Sequence, residues 1–479
     1  LIALASRLSA ALFLPNAEQD AYSYAEIIAR ISTNLGHFRL TDLYSFWLPL
    51  FQFTAAIPNV WIDNPLLIGK ILSALCGATS CLVVFAITEK LTRSRVFAGM
   101  TFALVVCNPL HILYSAASMT DVPHACLVLA SLWFLLHERW MGAAMFAAIA
   151  ESIRIESWSL IILLPLLQFF RQRRVSAAIL AILLLPPLGW LLICQLATRD
   201  PLSFFAEHAR YQASYVDFHP TRRDFVFTDI KRDFIYFFLG ANRIVFFATL
   251  AASGLLMWQA IRRRHRLYWP AVFNAAYALT FFGFLTFAYL TKRQPVILPR
   301  YGLIFFVLGL PLLAWLLQLF IRYWKPAWMA RCAATAAIAF CFWQSKHQLP
   351  VIFKVLDDFR AHRQVANIIA TAFHESPDST ARCFSDDVAV RVLSRLPPER
   401  FVRSTLAPAW AWESVGGFEM YLREQRAAYL VFMHIEDSLP PKLLPELSRN
   451  TDTGIFQFIT VAFSPFGPDV SLYRVRNAN

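Results

Sequence analysis

Apolar residues in this chain fall into long runs separated by short charged clusters. Runs at about 66–87, 96–116, 121–136, 140–153, 157–170, 175–197, 234–261, 268–291, 301–321 and 327–343 read as helices of a membrane-embedded bundle. The pair 140–153 and 157–170 is too short to cross a ~30 Å hydrocarbon core upright, which predicts a broken or re-entrant hairpin with its tip held within protein. Ahead of these runs, about 14 apolar residues precede Pro15, short of the ~20 a span needs, so the first helix is expected to be a clipped one. A loop bearing Glu18 and Asp20 follows, then a short helix over residues 21–35. The stretch "FWLPLFQFTAAIPNVWI" has the aromatic, Pro-rich character of an interfacial segment. With the first helix the expected count is about eleven.

The pattern changes near "WQSKHQLP". Residues 355–375 have amphipathic helical spacing, "ARCFS" and "AAYLVFMH" read as short strands, and "GIFQFITVAFS" with "VSLYRVR" predicts a closing β-hairpin. The expected organisation is an all-α polytopic membrane domain over residues 1–343 and a small α/β domain over 344–479. No solenoid-period repeat and no low-complexity linker is visible.

Composition agrees with a membrane protein: 58% of residues are hydrophobic, 15% aromatic and only 16% charged, too apolar for an ordinary soluble domain. The formal net charge of +13 does not point to nucleic acid, because the cations occur as short clusters between apolar runs, the pattern that orients membrane helices. The clusters "EKLTRSR", "HERW", "RQRR", "RRRHR" and "RYWKPAWMAR" fall at every second loop and mark the cytoplasmic face. Loops 15–65, 117–121, 154–156, 198–233 and 292–300, and the tail, are then expected on the opposite, extracytoplasmic side of the plasma membrane. Among the cysteines none forms a CxxC, and no spacing predicts zinc or a disulfide framework.

Ionisable groups near hydrocarbon cost several kcal/mol unless they are paired or face water, and the outer loops carry such groups. Glu18 and Asp20 stand directly after the first helix, where a carboxylate can serve as general base toward an attacking hydroxyl; Asp20 can equally cap the helix near Ala21. Asp121, after "YSAASMT", is either a helix-start anion or a second carboxylate orienting a hydroxyl or a cation. Arg154 and Glu156, at the hairpin turn, form an internal ion pair, with Glu151 as a further partner, or face a polar cavity. Glu207, His208 and Arg210 lie among aromatics in "FFAEHARYQASY", suited to phosphate and a prenyl chain or to an interfacial helix. Arg300 and Tyr301 open a late helix, with Lys292 and Arg293 nearby. Snorkelling to headgroups or an anion site accounts for them.

The order of these features resembles the GT-C glycosyltransferases of the dolichyl-phosphate-mannose protein mannosyltransferase and aminoarabinose transferase type. It is carried by "EQDAYSY", "WLPL", "NPLHILYSAASMTD", "RIE", "FFAEHARY" and "LPRYGLIF", over about residues 1–325. The resemblance implies a multi-pass transferase that takes a sugar from a polyprenyl phosphate and passes it, with inversion, to an acceptor hydroxyl on a glycan, lipid or protein. It implies Asp20 as first-loop base, Asp121 as second catalytic acid, and Arg154, Glu156, His208, Arg210, Arg300 and Tyr301 at the donor phosphate and sugar, with Glu18 secondary. Some members place Lys or His before the Pro of the interfacial segment, where this chain has Leu48. The first-loop acids read Glu-Gln-Asp, without the DxD-like spacing of metal-using relatives, so metal-independent transfer without a cofactor is expected. The rival readings are a transporter or flippase of an anionic lipid or solute, disfavoured by the missing repeat symmetry, and an outer-face glycan ligase.

Overall fold

A computed structural model describes residues 1–479 except 17, 208–226, 264–267, 291–297, 324–326, 351, 353–358, 376–379, 404–406, 435–438, 464–468 and 477–479. Two compact units emerge: Leu1–Leu14 with Ile27–Ile352, and Pro15–Glu26 with Phe353–Asn479.

The first unit is helical. Its elements run α1 (Ile2–Phe13), α2 (Gln19–Asn34, whose first half belongs to the second unit), α3 (Leu50–Ile62), α4 (Pro65–Thr92), α5 (Arg95–Val106), α6 (Pro109–Ser115), α7 (Asp121–Leu136), α8 (Trp140–Glu151), α9 (Leu160–Gln172), α10 (Ala177–Thr198), α11 (Phe227–Ala241), α12 (Arg243–Arg263), α13 (Tyr268–Leu290), α14 (Pro299–Tyr323) and α15 (Ala327–Lys346). Every apolar run of the sequence is thus helical. Against the expected count of about eleven, four helices among the described residues are long and apolar enough by themselves to cross a membrane, or six if each of two bent pairs counts as one. Runs 121–136, 140–153 and 157–170 form α7, α8 and α9, and 96–116 bends by 62° between α5 and α6.

Local chemistry sets these boundaries. Asn64 and Asn108 each precede a proline at the first helical position, and each side chain accepts a backbone N–H of the first turn, at 3.1 Å from Leu67 and 2.8 Å from His111; these caps satisfy donors that lack intrahelical partners. The break between α5 and α6 would leave carbonyls orphaned in an apolar setting. Arg7, fully buried in α1, donates to Val105 O and Val106 O at 2.8 Å each and lies 3.1 Å from His111 Nδ1, so a single cation covers the gap.

The second unit contains a five-stranded sheet in the order β2-β1-β3-β5-β4, built from β1 (Arg382–Ser385), β2 (Phe401–Val402), β3 (Ala427–Met433), β4 (Phe456–Ala462) and β5 (Val470–Val475). β1 is parallel to β2 and β3; β5 is antiparallel to β3 and β4. Alternate residues feed two apolar layers. Leu430, Phe432 and Tyr473 join Phe418 and Leu422 of α18 (Val415–Glu424) on one face, while Val431 and Leu472 join Val365 and Ile369 of α16 (Arg360–Glu375) on the other. α17 (Val388–Leu393) and α19 (Leu439–Leu443) complete it. The longer strands and the amphipathic helix follow the residue pattern, whereas the two-residue β2 is too short to carry one.

Candidate functional site

Glycines hold two of the loop segments that carry predicted site residues. At the start of α14, a Cβ on Gly302 would lie 2.2 Å from Phe237 O and 2.5 Å from Ala241 N, and one on Gly240 would lie 1.9 Å from Pro299 O. α11 and α14 therefore meet backbone to backbone, which fixes the turn bearing Arg300 and Tyr301. Likewise a Cβ on Gly69 of α4 would collide with Ser118 Oγ at 1.9 Å. This seats the 116–120 segment that leads into Asp121.

Against these anchors several predicted residues converge. Arg154 Nη1 donates to Asp121 Oδ1 at 2.7 Å, while Nη2 and Nε donate to Glu156 Oε1 and Oε2 at 2.8 and 3.3 Å. The Arg154 guanidinium lies 5.8 Å from the Tyr301 ring centroid and that of Arg300 lies 5.4 Å from it, a cation–π spacing. Arg300 Nη1 sits 3.8 Å from Met119 Sδ. Residues separated by up to 180 positions thus share one buried patch, with Arg300 and Tyr301 each 7% exposed and Asp121 1%.

Burial and pairing make the arrangement chemically specific. Arg154 is engaged by two carboxylates through the fork geometry a guanidinium favours. Its partner is not Glu151, as the sequence allowed: Glu151 is fully buried and neither carboxylate oxygen has a hydrogen-bond partner among the described residues. Asp121 Oδ2 likewise has none there. Arg154 therefore orients Asp121 through one oxygen and leaves the second as an acceptor, the configuration needed to grip a hydroxyl.

The loops expected to share one side meet in the first unit. Tyr44 of the first loop donates to Glu207 Oε1 at 2.6 Å and to Ser203 Oγ at 3.2 Å, and stacks on Trp190 at 6.1 Å. Burial and the neighbouring carboxylate push the Tyr44 phenol up to about 12. Leu50 N donates to Ser152 O of the hairpin at 3.3 Å. Leu48 packs with Trp190, Ile193 and Phe204. His208, Arg210, Lys292 and Arg293 lie outside the described residues. Glu18 and Asp20 are half-buried in the second unit, Asp20 in the first turn of α2.

Sequence reasoning missed several polar groups behind the patch. His124 Nε2, Ser157 Oγ and Tyr277 OH are mutually hydrogen-bonded, Tyr277 at 3.0 Å from His124 and 3.2 Å from Ser157, and all are buried. Lys70 donates to Leu14 O at 2.6 Å. A signal existed for Lys70 and Arg7, since each is an isolated cation inside an apolar run. None of the hydroxyls carries such a signal. No group of His, Cys, Asp and Glu suited to a metal ion occurs among the described residues.

The site and the helical architecture together define a class: a multi-pass membrane protein with an appended α/β domain. ArnT from Cupriavidus metallidurans bound to undecaprenyl phosphate superposes with a TM-score of 0.59 at 12% identity, over 98% of this chain and 96% of that one. The Archaeoglobus fulgidus oligosaccharyltransferase AglB, in complex with an inhibitory peptide and a dolichol-phosphate, gives 0.51 at 10% identity over 90% and 69%. The same enzyme's complex with Zn and sulfate gives 0.54 at 13% over 99% and 72%. The chain's structural neighbours are GT-C glycosyltransferases, and the resemblance drawn from the sequence is matched at the level of the fold. No family model and no curated protein sequence matches the chain.

Proposed function

We propose that the protein is a membrane glycosyltransferase that moves a sugar from a polyprenyl phosphate to an acceptor hydroxyl, with inversion, on the extracytoplasmic face of the plasma membrane. The fold shared with ArnT and AglB supports this reading, since those structures hold undecaprenyl phosphate and dolichol-phosphate. The observation that carries it is the Asp121–Arg154–Glu156 cluster, with Asp121 buried and its two partners half-buried, beside the buried Arg300 and Tyr301, assembled from three separate chain segments where unpaired ionisable groups would be costly.

In the proposed reaction the acceptor oxygen bonds to the anomeric carbon as the bond from that carbon to the phosphate oxygen breaks. Asp20 takes the acceptor proton, Asp121 holds a sugar or acceptor hydroxyl through Oδ2, and the phosphate departs with its electron pair toward Arg300, with His208 and Arg210 assigned to the same anion. Glu18 has a secondary role. The chemistry needs no metal, because proton transfer and charge stabilisation are both supplied by side chains.

The test is transfer of a radiolabelled sugar from purified polyprenyl-phosphate donors by protein in nanodiscs. Asp20→Asn should abolish transfer at wild-type expression, a loss of about 100-fold or more. Wild-type turnover from that variant removes Asp20 as base. Comparison of lipid- and protein-linked glycans by mass spectrometry, with and without the protein in its host, identifies the sugar and acceptor.

A further inference from the structure

The acid-bearing loop is grouped with the C-terminal domain, and its contacts there are charged and specific. Glu26, on α2, accepts Arg391 Nε at 3.1 Å and Arg391 Nη2 at 3.4 Å, and Arg403 Nη2 bonds to the same carboxylate. These partners lie 365 and 377 residues away in sequence. Arg391 is itself fixed: its Nη1 donates to Ser385 O at 3.0 Å, and its side chain is only 8% exposed. The short helix α17 that carries it is capped by Asp387, which accepts Ala389 N at 2.8 Å and Val390 N at 3.2 Å and lies 3.2 Å from His362 Nε2 of α16. On the same helix as Glu26, Tyr22 is fully buried with its ring 5.0 Å from that of Phe359.

A loop that merely connected two membrane helices would need none of this. A bidentate Arg–carboxylate contact with a second arginine on the same acid specifies position, because it is geometrically selective in a way that apolar packing is not. Asp20 precedes Glu26 by six residues on one continuous helix, about 9 Å along its axis, so fixing Glu26 fixes the turn bearing Asp20.

We propose that the C-terminal α/β domain is a positioning element for proton abstraction: Arg391 and Arg403 hold Glu26, and Glu26 sets the placement of the Asp20 carboxylate. The inference rests on the reading of Asp20 as base. It assigns Glu26, Arg391 and Arg403 as positioning residues that touch neither donor nor acceptor. Misplacing a base affects the chemical step and leaves donor binding intact, so the variants should separate kcat from KM.

The experiment uses the full chain in nanodiscs and compares wild type with Glu26→Gln, Arg403→Ala and the conservative Glu26→Asp. Hydrogen exchange of the amides over residues 19–26 should rise about tenfold in Glu26→Gln and Arg403→Ala while those of α4 and α14 stay unchanged. In the transfer assay kcat should fall about 10- to 100-fold, with KM for the lipid donor within about twofold and Glu26→Asp intermediate. Unchanged exchange overturns the proposal, as does raised exchange with wild-type kcat, or a loss that appears in donor KM instead. The underlying function is judged separately. If wild type transfers no sugar, that reading fails, and the exchange measurement alone decides whether the domain holds the helix.

Discussion

Arginine–carboxylate pairs occur at both ends of the helical unit, in opposite surroundings. At one end Arg154 has a side chain 12% exposed, against Asp121 at 1% and Glu156 at 19%. At the other, Arg95 is 88% exposed against Glu89 at 38%, and Arg171 is 26% exposed against Glu138 at 50%. The residue types and distances are alike. What differs is the solvent: water screens the second group and pays little for its loss, whereas removing one partner of the first strands a charge in a poorly solvated place. A cluster kept under that penalty is one the fold was built around, while the exposed pairs are what loops between helices ordinarily display.

The contrast can be broken by substitution. Arg154→Ala should be the most damaging single change, costing about 3–5 kcal/mol by leaving the buried Asp121 and the half-buried Glu156 without their cation, read as a fall in the melting temperature of detergent-solubilised protein. Wild-type melting would place the cluster in water and dissolve the distinction. Gly302→Val should come next, at about 1–3 kcal/mol from overpacking, because backbone atoms of Phe237 and Ala241 cannot yield to a side chain. It should also displace Arg300 and Tyr301 and reduce transfer, whereas Gly254→Ala, with open space around its Cβ position, should do neither.

An intermediate case lies in the α/β domain. His434, half-buried, lies 2.6 Å from Ser471 Oγ, and burial lowers its pKa below the ordinary 6.5. A histidine with a depressed folded value contributes stability that is complete above its unfolded pKa and is lost as pH falls through the folded one. Domain stability should therefore decline as pH drops below about 6.5, and His434→Gln should flatten that limb in pH-dependent chemical denaturation; an unchanged slope rejects the assignment. The smallest effects belong to Arg95→Ala and Arg171→Ala, each about 0–1 kcal/mol and erased by salt. A large loss from either would erase the comparison from its exposed side.

Much of the fold was legible because its signals are local. Runs of apolar residues became helices, and alternation in "AAYLVFM" became β3 with its two faces in two cores. The number of spans was less legible. Apolar character announces burial, and protein and lipid both provide it, so the run that became α7 was counted with the crossings although its 16 residues fall short of a full span. At the site, Asp121, Arg154, Glu156, Arg300 and Tyr301 stood out as ionisable or polar groups beside hydrocarbon. The contact of Arg154 with Asp121 did not, and neither did the buried hydrogen-bonded trio of His124, Ser157 and Tyr277, because serine and tyrosine are unremarkable at any one position.

The chain alone determined which segments would be helical, where the α/β domain begins to show its pattern, and which side chains are too polar for their neighbourhood. Those follow from propensity, capping and hydrophobic period, which act over a few residues. Only the tertiary structure decided that Arg154 takes Asp121 and not Glu151 as its second carboxylate, and that Glu26 is held by arginines more than 360 residues away. Such choices are made by close approach of distant backbones, at Gly240 and Gly302 among others, and by the cost of leaving a buried charge alone. Neither leaves a trace in sequence spacing.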